Sequence, residues 1–222
     1  MANKKITKKK VAEILNILDE IYPFDEKCFL DYEKPWQLLI ATILSAQCTD
    51  ERVNQVTAKL FIKYPSLEAF AAADFTDMCE DVRSTGFFRM KAHNIIESAK
   101  ILLSTYDGQL PSDMESLTAL PGVGRKTANV VRGHIFKIPS ITVDTHVKRV
   151  SLRFGITTCT DPEKAEFELM KILPESHWIA YNQQVITHGR QICSSQNPKC
   201  HICPFKHLCA SAAKLCKNKF FF

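Results

Sequence analysis

One segment constrains this chain more than any other: Leu120-Pro121-Gly122-Val123-Gly124-Arg125-Lys126-Thr127-Ala128-Asn129, a two-glycine turn set between helical patterns. Ser112 followed by Glu115 reads as a capping box, and Met114, Leu117 and Leu120 then recur at helical spacing until Pro121-Gly122 stops them. Ala128, Val131 and Ile135 take up the period again beyond Gly124. The segment therefore predicts helix, hairpin, helix over about residues 112–136. Glycines in the turn allow φ > 0 and close backbone approach, and they leave the N–H groups of the new helix pointing outward, a start that favours a phosphate.

The hairpin puts Lys126 on the first turn of the second helix, beside Arg125. A lysine in that field, with a cationic neighbour, is placed to act as an amine nucleophile. A solvated surface lysine is the competing reading. Charge placement bears on the choice. Residues 116–160 hold seven basic side chains and a single acid, Asp144. Asp144 stands before Val147 and Val150, which with Val143 mark one helical face, so it falls at an N-cap. Capping alone accounts for it, yet a lone carboxylate in basic surroundings also suits stabilising a cation in a site that holds phosphates.

Nucleic acid is the partner this charge pattern suggests. From residue 176 to the end there is no Asp or Glu against six Lys and Arg, and the first ten residues add five lysines. The span between, 11–175, carries 18 basic and 24 acidic groups. Such a division suits a polyanion bound along one side. Membrane-surface binding is the competing reading of these charges, although no stretch is long and apolar enough to span a bilayer; the expected partner is nucleic acid and no membrane. The lysine-rich start lacks the apolar core of a secretory signal. A reducing compartment is the expectation: the cytoplasm with its nucleoid in a bacterium, the nucleus or an organelle in a eukaryote.

Nine cysteines matter more in that setting. Cys193, Cys200, Cys203 and Cys209 crowd into one segment, while Cys28, Cys48, Cys79, Cys159 and Cys216 are scattered. A reducing compartment argues for a metal site over a disulfide scaffold. Only Cys200 and Cys203 form the close pair that zinc favours, and the spacing suits one Zn²⁺ or a [4Fe-4S] cluster equally. Apolar periodicity predicts helices at 11–21, 36–44, 53–61, 95–103 and 179–186, with Pro35 and Pro162 at first helical positions and only 141–143 briefly extended. An all-α fold in two lobes, with a cleft between them, is the expectation for 222 residues of this composition.

The hairpin with Lys126, the Val143-Asp144-Thr145-His146-Val147 segment, His188-Gly189-Arg190 and the four-cysteine loop, in that order, resemble the endonuclease III family of DNA glycosylases with AP lyase activity. Residues 38–47 with Thr49-Asp50 are similar to that family's early core helix and following loop, and the resemblance runs from about Leu15 to Cys209. It implies a six-helix domain near 28–138 and an iron-sulfur domain from 1–27 with 139–222, DNA lying between them. It implies a [4Fe-4S] cluster on Cys193, Cys200, Cys203 and Cys209. Lys126 would attack C1′ of a flipped nucleotide and Asp144 would stabilise the charge on the sugar. Gln47 would fill the gap, with Phe87 or Phe88 wedging the opposite strand. Gly122, Gly124, Arg125 and Lys199 would meet phosphates.

The substrate so implied is double-stranded DNA bearing oxidised pyrimidines or abasic sites, met by a monomer. Phe87-Phe88 departs from the expected aliphatic-aromatic pair, and simple core packing of the two rings is the alternative. Three rivals stand beside this reading. An adenine glycosylase lacks a lysine at this position and has an added C-terminal domain; a mismatch-specific glycosylase shares the core; and a nonenzymatic iron-sulfur protein would bind DNA or carry electrons.

Overall fold

The computed structural model describes residues 6–216, so the first of the N-terminal lysines and the last of the C-terminal ones lie outside the described residues. All regular secondary structure among the described residues is helical. In chain order the helices are α1 (Lys8–Ile21), α2 (Pro35–Leu44), α3 (Asp50–Lys63), α4 (Leu67–Ala71), α5 (Phe75–Val82), α6 (Phe88–Tyr106), α7 (Met114–Ala119), α8 (Arg125–Ile135), α9 (Thr145–Phe154), α10 (Pro162–Ile172), α11 (Trp178–Gln191) and α12 (Ala212–Cys216). Short 3₁₀ turns at Arg83–Thr85 and Glu175–His177 lead into α6 and α11. No described helix is long and apolar enough to cross a membrane.

The chain divides into two compact units. Glu26–Ile138 form one; the described residues up to Asp25 join those from Pro139 onward to form the other. The first unit holds α2 to α8, of which α4 is a five-residue turn and the rest run six residues or longer. At its centre lies α2, apolar on every side and buried from Trp36 to Leu44, as a helix without a polar face must be. Phe70, Met78, Val82, Ile95 and Leu117 close over it. Pro35 begins α2 and Pro162 begins α10, each at the position where its missing N–H has no helical partner to lose.

In the second unit α1 contributes Val11, Ile14, Leu15 and Leu18 at i, i+3, i+4, i+7 to a core shared with Val147, Val150, Phe154, Leu169, Tyr181, Val185 and Phe205. One sequence expectation is corrected here. The cap before α7 is Asp113, whose carboxylate accepts from Ser116 N at 2.8 Å, and not Ser112, whose carbonyl instead accepts from Arg132 Nε. One residue decides this, because the Asp113 oxygen already fills the N3 amide. Residues 141–143 run as a buried link outside any regular element, which Asn182 brackets, accepting from Thr142 N at 3.1 Å and donating to Ser140 O at 3.3 Å. A side-chain amide there does for the backbone what a neighbouring strand would do.

Candidate active site and metal centre

The hairpin closes as a four-residue turn. Val123 N donates to Leu120 O at 3.1 Å, Pro121 occupies the second position and Gly122 the third with φ +77°. That is the type II arrangement, whose third residue needs a left-handed backbone. A Cβ on Gly122 would lie 2.6 Å from Asn94 Nδ2, so sterics demand glycine there twice over. Gly124 differs from the expectation that both glycines use φ > 0. It is the extended N-cap of α8, at φ −90°, with open space where a Cβ would stand.

The hairpin rests on α6. Ser98 Oγ donates to Pro121 O at 3.0 Å, and Asn94 lies one helical turn away under Gly122. Arg125 and Lys126 are the first two residues of α8, where helix amides and the positive end of the macrodipole meet solvent. Lys126 is exposed, while Ala128 and Val131 on the opposite face are fully buried. The helix is thus anchored by its apolar stripe with its lysine outward.

Gln47 and Phe87 share a backbone property that sequence reasoning did not reveal. Gln47 has φ 54° and Phe87 has φ 48°, both left-handed, and both side chains are exposed, Phe87 by 62%. Left-handed non-glycine residues cost about 1–3 kcal/mol each and persist where surrounding contacts hold them. Phe88 behaves otherwise: it packs against the core, with the Arg83 guanidinium 5.7 Å and the Arg89 guanidinium 6.0 Å from its ring. Neighbours in sequence, the two phenylalanines have separate tasks.

Asp144 belongs to the other unit, as the N-cap of α9. Its carboxylate accepts from Val147 N at 2.7 Å and is half-buried. Farther along α9, Arg149 and Arg153 stand one turn apart and grip the start of the cysteine loop. Arg149 Nε donates to Cys193 O at 3.0 Å; Arg153 reaches Cys193 O, Ser194 O and Ser195 O, and approaches Cys193 Sγ at 3.1 Å. Gly189 lets α11 come close, for a Cβ there would meet His146 and Arg149 at 3.0 and 3.1 Å. His188, fully buried and pushed down to about 4 by burial, joins Tyr22 OH at 3.0 Å and faces Cys203 Sγ at 3.8 Å. These arginines could have been suspected from their i, i+4 spacing ahead of a thiol-rich loop; the partners they take could not.

Cys193, Cys200, Cys203 and Cys209 line one small pocket with Phe154, Ile192 and Pro198. Burial first, then mutual repulsion among these four, pushes the thiols of Cys203 and Cys209 up, Cys203 to about 11. Four such thiols ionise together only around a positive core. Among the described residues no three His, Cys, Asp or Glu are grouped closely enough for a single metal ion. Four thiols lining one pocket are a donor set of the kind an iron-sulfur cluster takes. Cys216, the scattered cysteine nearest in sequence, reaches the Cys200 thiol, a contact spacing did not foretell. Lys199 stands exposed on the loop between Cys193 and Cys200, its amide donating to Ile192 O at 2.9 Å.

Known proteins match this architecture along nearly its whole length. The family model of HhH-GPD superfamily base excision DNA repair proteins matches residues 40–175, and that of the iron-sulfur binding domain of endonuclease III matches 193–209. Endonuclease III of Synechocystis sp. is 50% identical over 96% of this chain and 95% of its own, and that of Bacillus subtilis 41% identical over 93% and 94%. A trapped covalent endonuclease III-DNA intermediate superposes with a TM-score of 0.89 at 42% identity, covering 94% of this chain and 98% of the other. A thermostable thymine-DNA glycosylase, 23% identical over 93% of this chain and 98% of its own, shares the fold with a TM-score of 0.82. With a hairpin, a cysteine pocket and relatives that agree over both units, the chain belongs to the endonuclease III family, base excision repair enzymes that are DNA glycosylases with AP lyase activity and carry a [4Fe-4S] cluster.

Proposed function

We propose that this chain acts as a monomer on double-stranded DNA, releasing oxidised pyrimidines and cutting the abasic strand 3′ to the lesion. Lys126 is the nucleophile. Its amine lone pair forms a bond to C1′ as the glycosidic bond breaks and the base departs with its electron pair and a proton. The nitrogen lone pair then expels O4′ from C1′, O4′ takes up a proton as the ring opens, and the resulting protonated imine acidifies C2′–H. Loss of that proton drives β-elimination and expels the 3′ phosphate. Asp144 holds negative charge toward the cation forming on the sugar and takes the proton that the Lys126 ammonium gives up.

The observation that carries this reading is Lys126 itself, exposed on the first turn of α8 directly after a hairpin whose geometry only glycine at 122 permits. The hairpin amides at Gly122 and Gly124, with Arg125, take the phosphates flanking the lesion, and Lys199 takes others. Gln47 fills the vacated stack and Phe87 wedges the opposite strand, a choice supported by the exposure of Phe87 and the packing of Phe88 against the core. Cys193, Cys200, Cys203 and Cys209 hold the [4Fe-4S] cluster, whose positive core offsets their charge and organises the loop that presents Lys199.

Borohydride trapping on a duplex containing thymine glycol tests this reading. The wild-type protein is expected to form a covalent adduct and to cut the strand without added alkali or divalent metal. Lys126→Gln is expected to lose the adduct while still binding DNA. Normal trapping by that variant, or efficient adenine release opposite oxidised guanine from an uncut strand, overturns the assignment.

A further inference from the structure

Lys91, on α6, is only 4% exposed, although lysine is among the residues least often buried. Its ammonium donates to two main-chain carbonyls, Leu44 O and Thr85 O, each at 2.8 Å. Leu44 ends α2, three residues before Gln47; Thr85 ends the 3₁₀ turn, two residues before Phe87. Both acceptors are helix-end carbonyls, left without intrahelical donors and carrying the negative end of a helix dipole, where a cation is favoured. Burial itself pulls the Lys91 ammonium toward deprotonation, so these bonds offset a real cost.

The backbone is strained just beyond each carbonyl. Gln47 is left-handed, and Gly86 at φ 72°, ψ 159° precedes left-handed Phe87. Lys91 thus hydrogen-bonds to the stem of both turns. It is also part of a series. Lys91, Asn94 and Ser98 stand at i, i+3 and i+7, one face of α6, whose N-cap is Phe87, and Asn94 and Ser98 meet the hairpin at Gly122 and Pro121.

We propose that Lys91 is a positioning residue, whose buried ammonium ties the loop bearing Gln47 to the turn bearing Phe87 so that the two side chains enter the duplex together. This rests on the reading that Gln47 and Phe87 insert. Lys91 touches neither DNA nor the reacting atoms. Its contribution is to the geometry of lesion exposure, because a rigid pair of inserted side chains holds a nucleotide out of the stack better than two independent ones.

The test uses the full chain with its cluster and a duplex carrying a tetrahydrofuran abasic analogue with 2-aminopurine in the opposite strand, whose fluorescence rises when neighbours unstack. Lys91→Met is expected to lower that rise at least fivefold at saturating protein, with affinity for undamaged duplex within twofold of wild type. In a Phe87→Ala background the same substitution is expected to add less than half of its separate effect, since the pair is already broken. Lys91→Gln, which retains a donor for one of the two carbonyls, is expected to fall between and replaces methionine if that variant does not fold.

A full signal from folded Lys91→Met, strictly additive losses, or equal losses on damaged and undamaged duplex overturn the proposal. So does failure of both variants to fold, which makes the ammonium a stability element alone. If instead Gln47→Ala and Phe87→Ala both leave the signal intact, it is the insertion reading that fails.

Discussion

Asp144 illustrates how one side chain serves structure and chemistry with the same oxygens. Its bond to Val147 N caps α9, and asparagine caps as well as aspartate does. Asp144→Asn is therefore expected to change stability by less than about 0.5 kcal/mol, while slowing single-turnover base release by about 10²-fold or more, since a preorganised charge is lost. Urea unfolding and excision kinetics on the same sample separate the two; unfolding without specific catalytic loss would make the residue a cap only. Gly122 is the opposite case, with a wholly local constraint. Gly122→Ala must hold alanine at φ +77° with its Cβ against Asn94, and is expected to cost about 1–3 kcal/mol in urea unfolding. Lesion binding is expected to weaken further as the hairpin shifts on α6. Both residues were legible from type and neighbours alone, because capping and left-handed turns are local physics. The partner of Gly122 was not, for Asn94 is distant in sequence.

At the level of elements, α9 and the cysteine loop behave as one piece, since Arg149 and Arg153 bond the loop backbone at Cys193 to Ser195. The purified protein is expected to be yellow-brown, with iron and sulfide and without stoichiometric zinc. Cys200→Ser is expected to lose most of the visible absorbance and to lower the melting temperature, because cluster binding contributes folding free energy. Cys216→Ser is expected to retain colour, even though Cys216 touches the Cys200 thiol; a colourless Cys216→Ser protein would promote it to a ligand. The long helices were legible as 3.6-residue periodicity, as α1, α2 and α3 show. Helix α4 escaped because five residues are too few to display a period; α5 does display one at Phe75, Met78, Cys79 and Val82 and was overlooked, and Ser66 and Asp74 cap the two as the rules for helix starts require.

For the molecule as a whole, the basic C-terminal segment predicts binding to undamaged duplex that weakens steeply with salt as counterions are released. Lys199→Glu is expected to lower the affinity and to reduce the log–log salt slope by about 1, with trapping at an abasic site intact once DNA is saturating. A flat salt response in a filter-binding titration would remove the loop from the DNA footprint. The sequence by itself determined whatever depends on near neighbours and composition: helical class, the hairpin with its lysine, the capped aspartate and the clustered thiols. Tertiary structure alone decided which polar groups meet across the core. Lys91 reads in sequence as an ordinary surface lysine, and only folding brings Leu44 O and Thr85 O to its ammonium. Phe87 and Phe88 are indistinguishable as letters, and the left-handed backbone at 87 sends one ring outward while the next packs inward. The physical reason is range: caps and turns act within four residues, whereas burial and orphaned helix-end carbonyls are set by elements far apart in the chain.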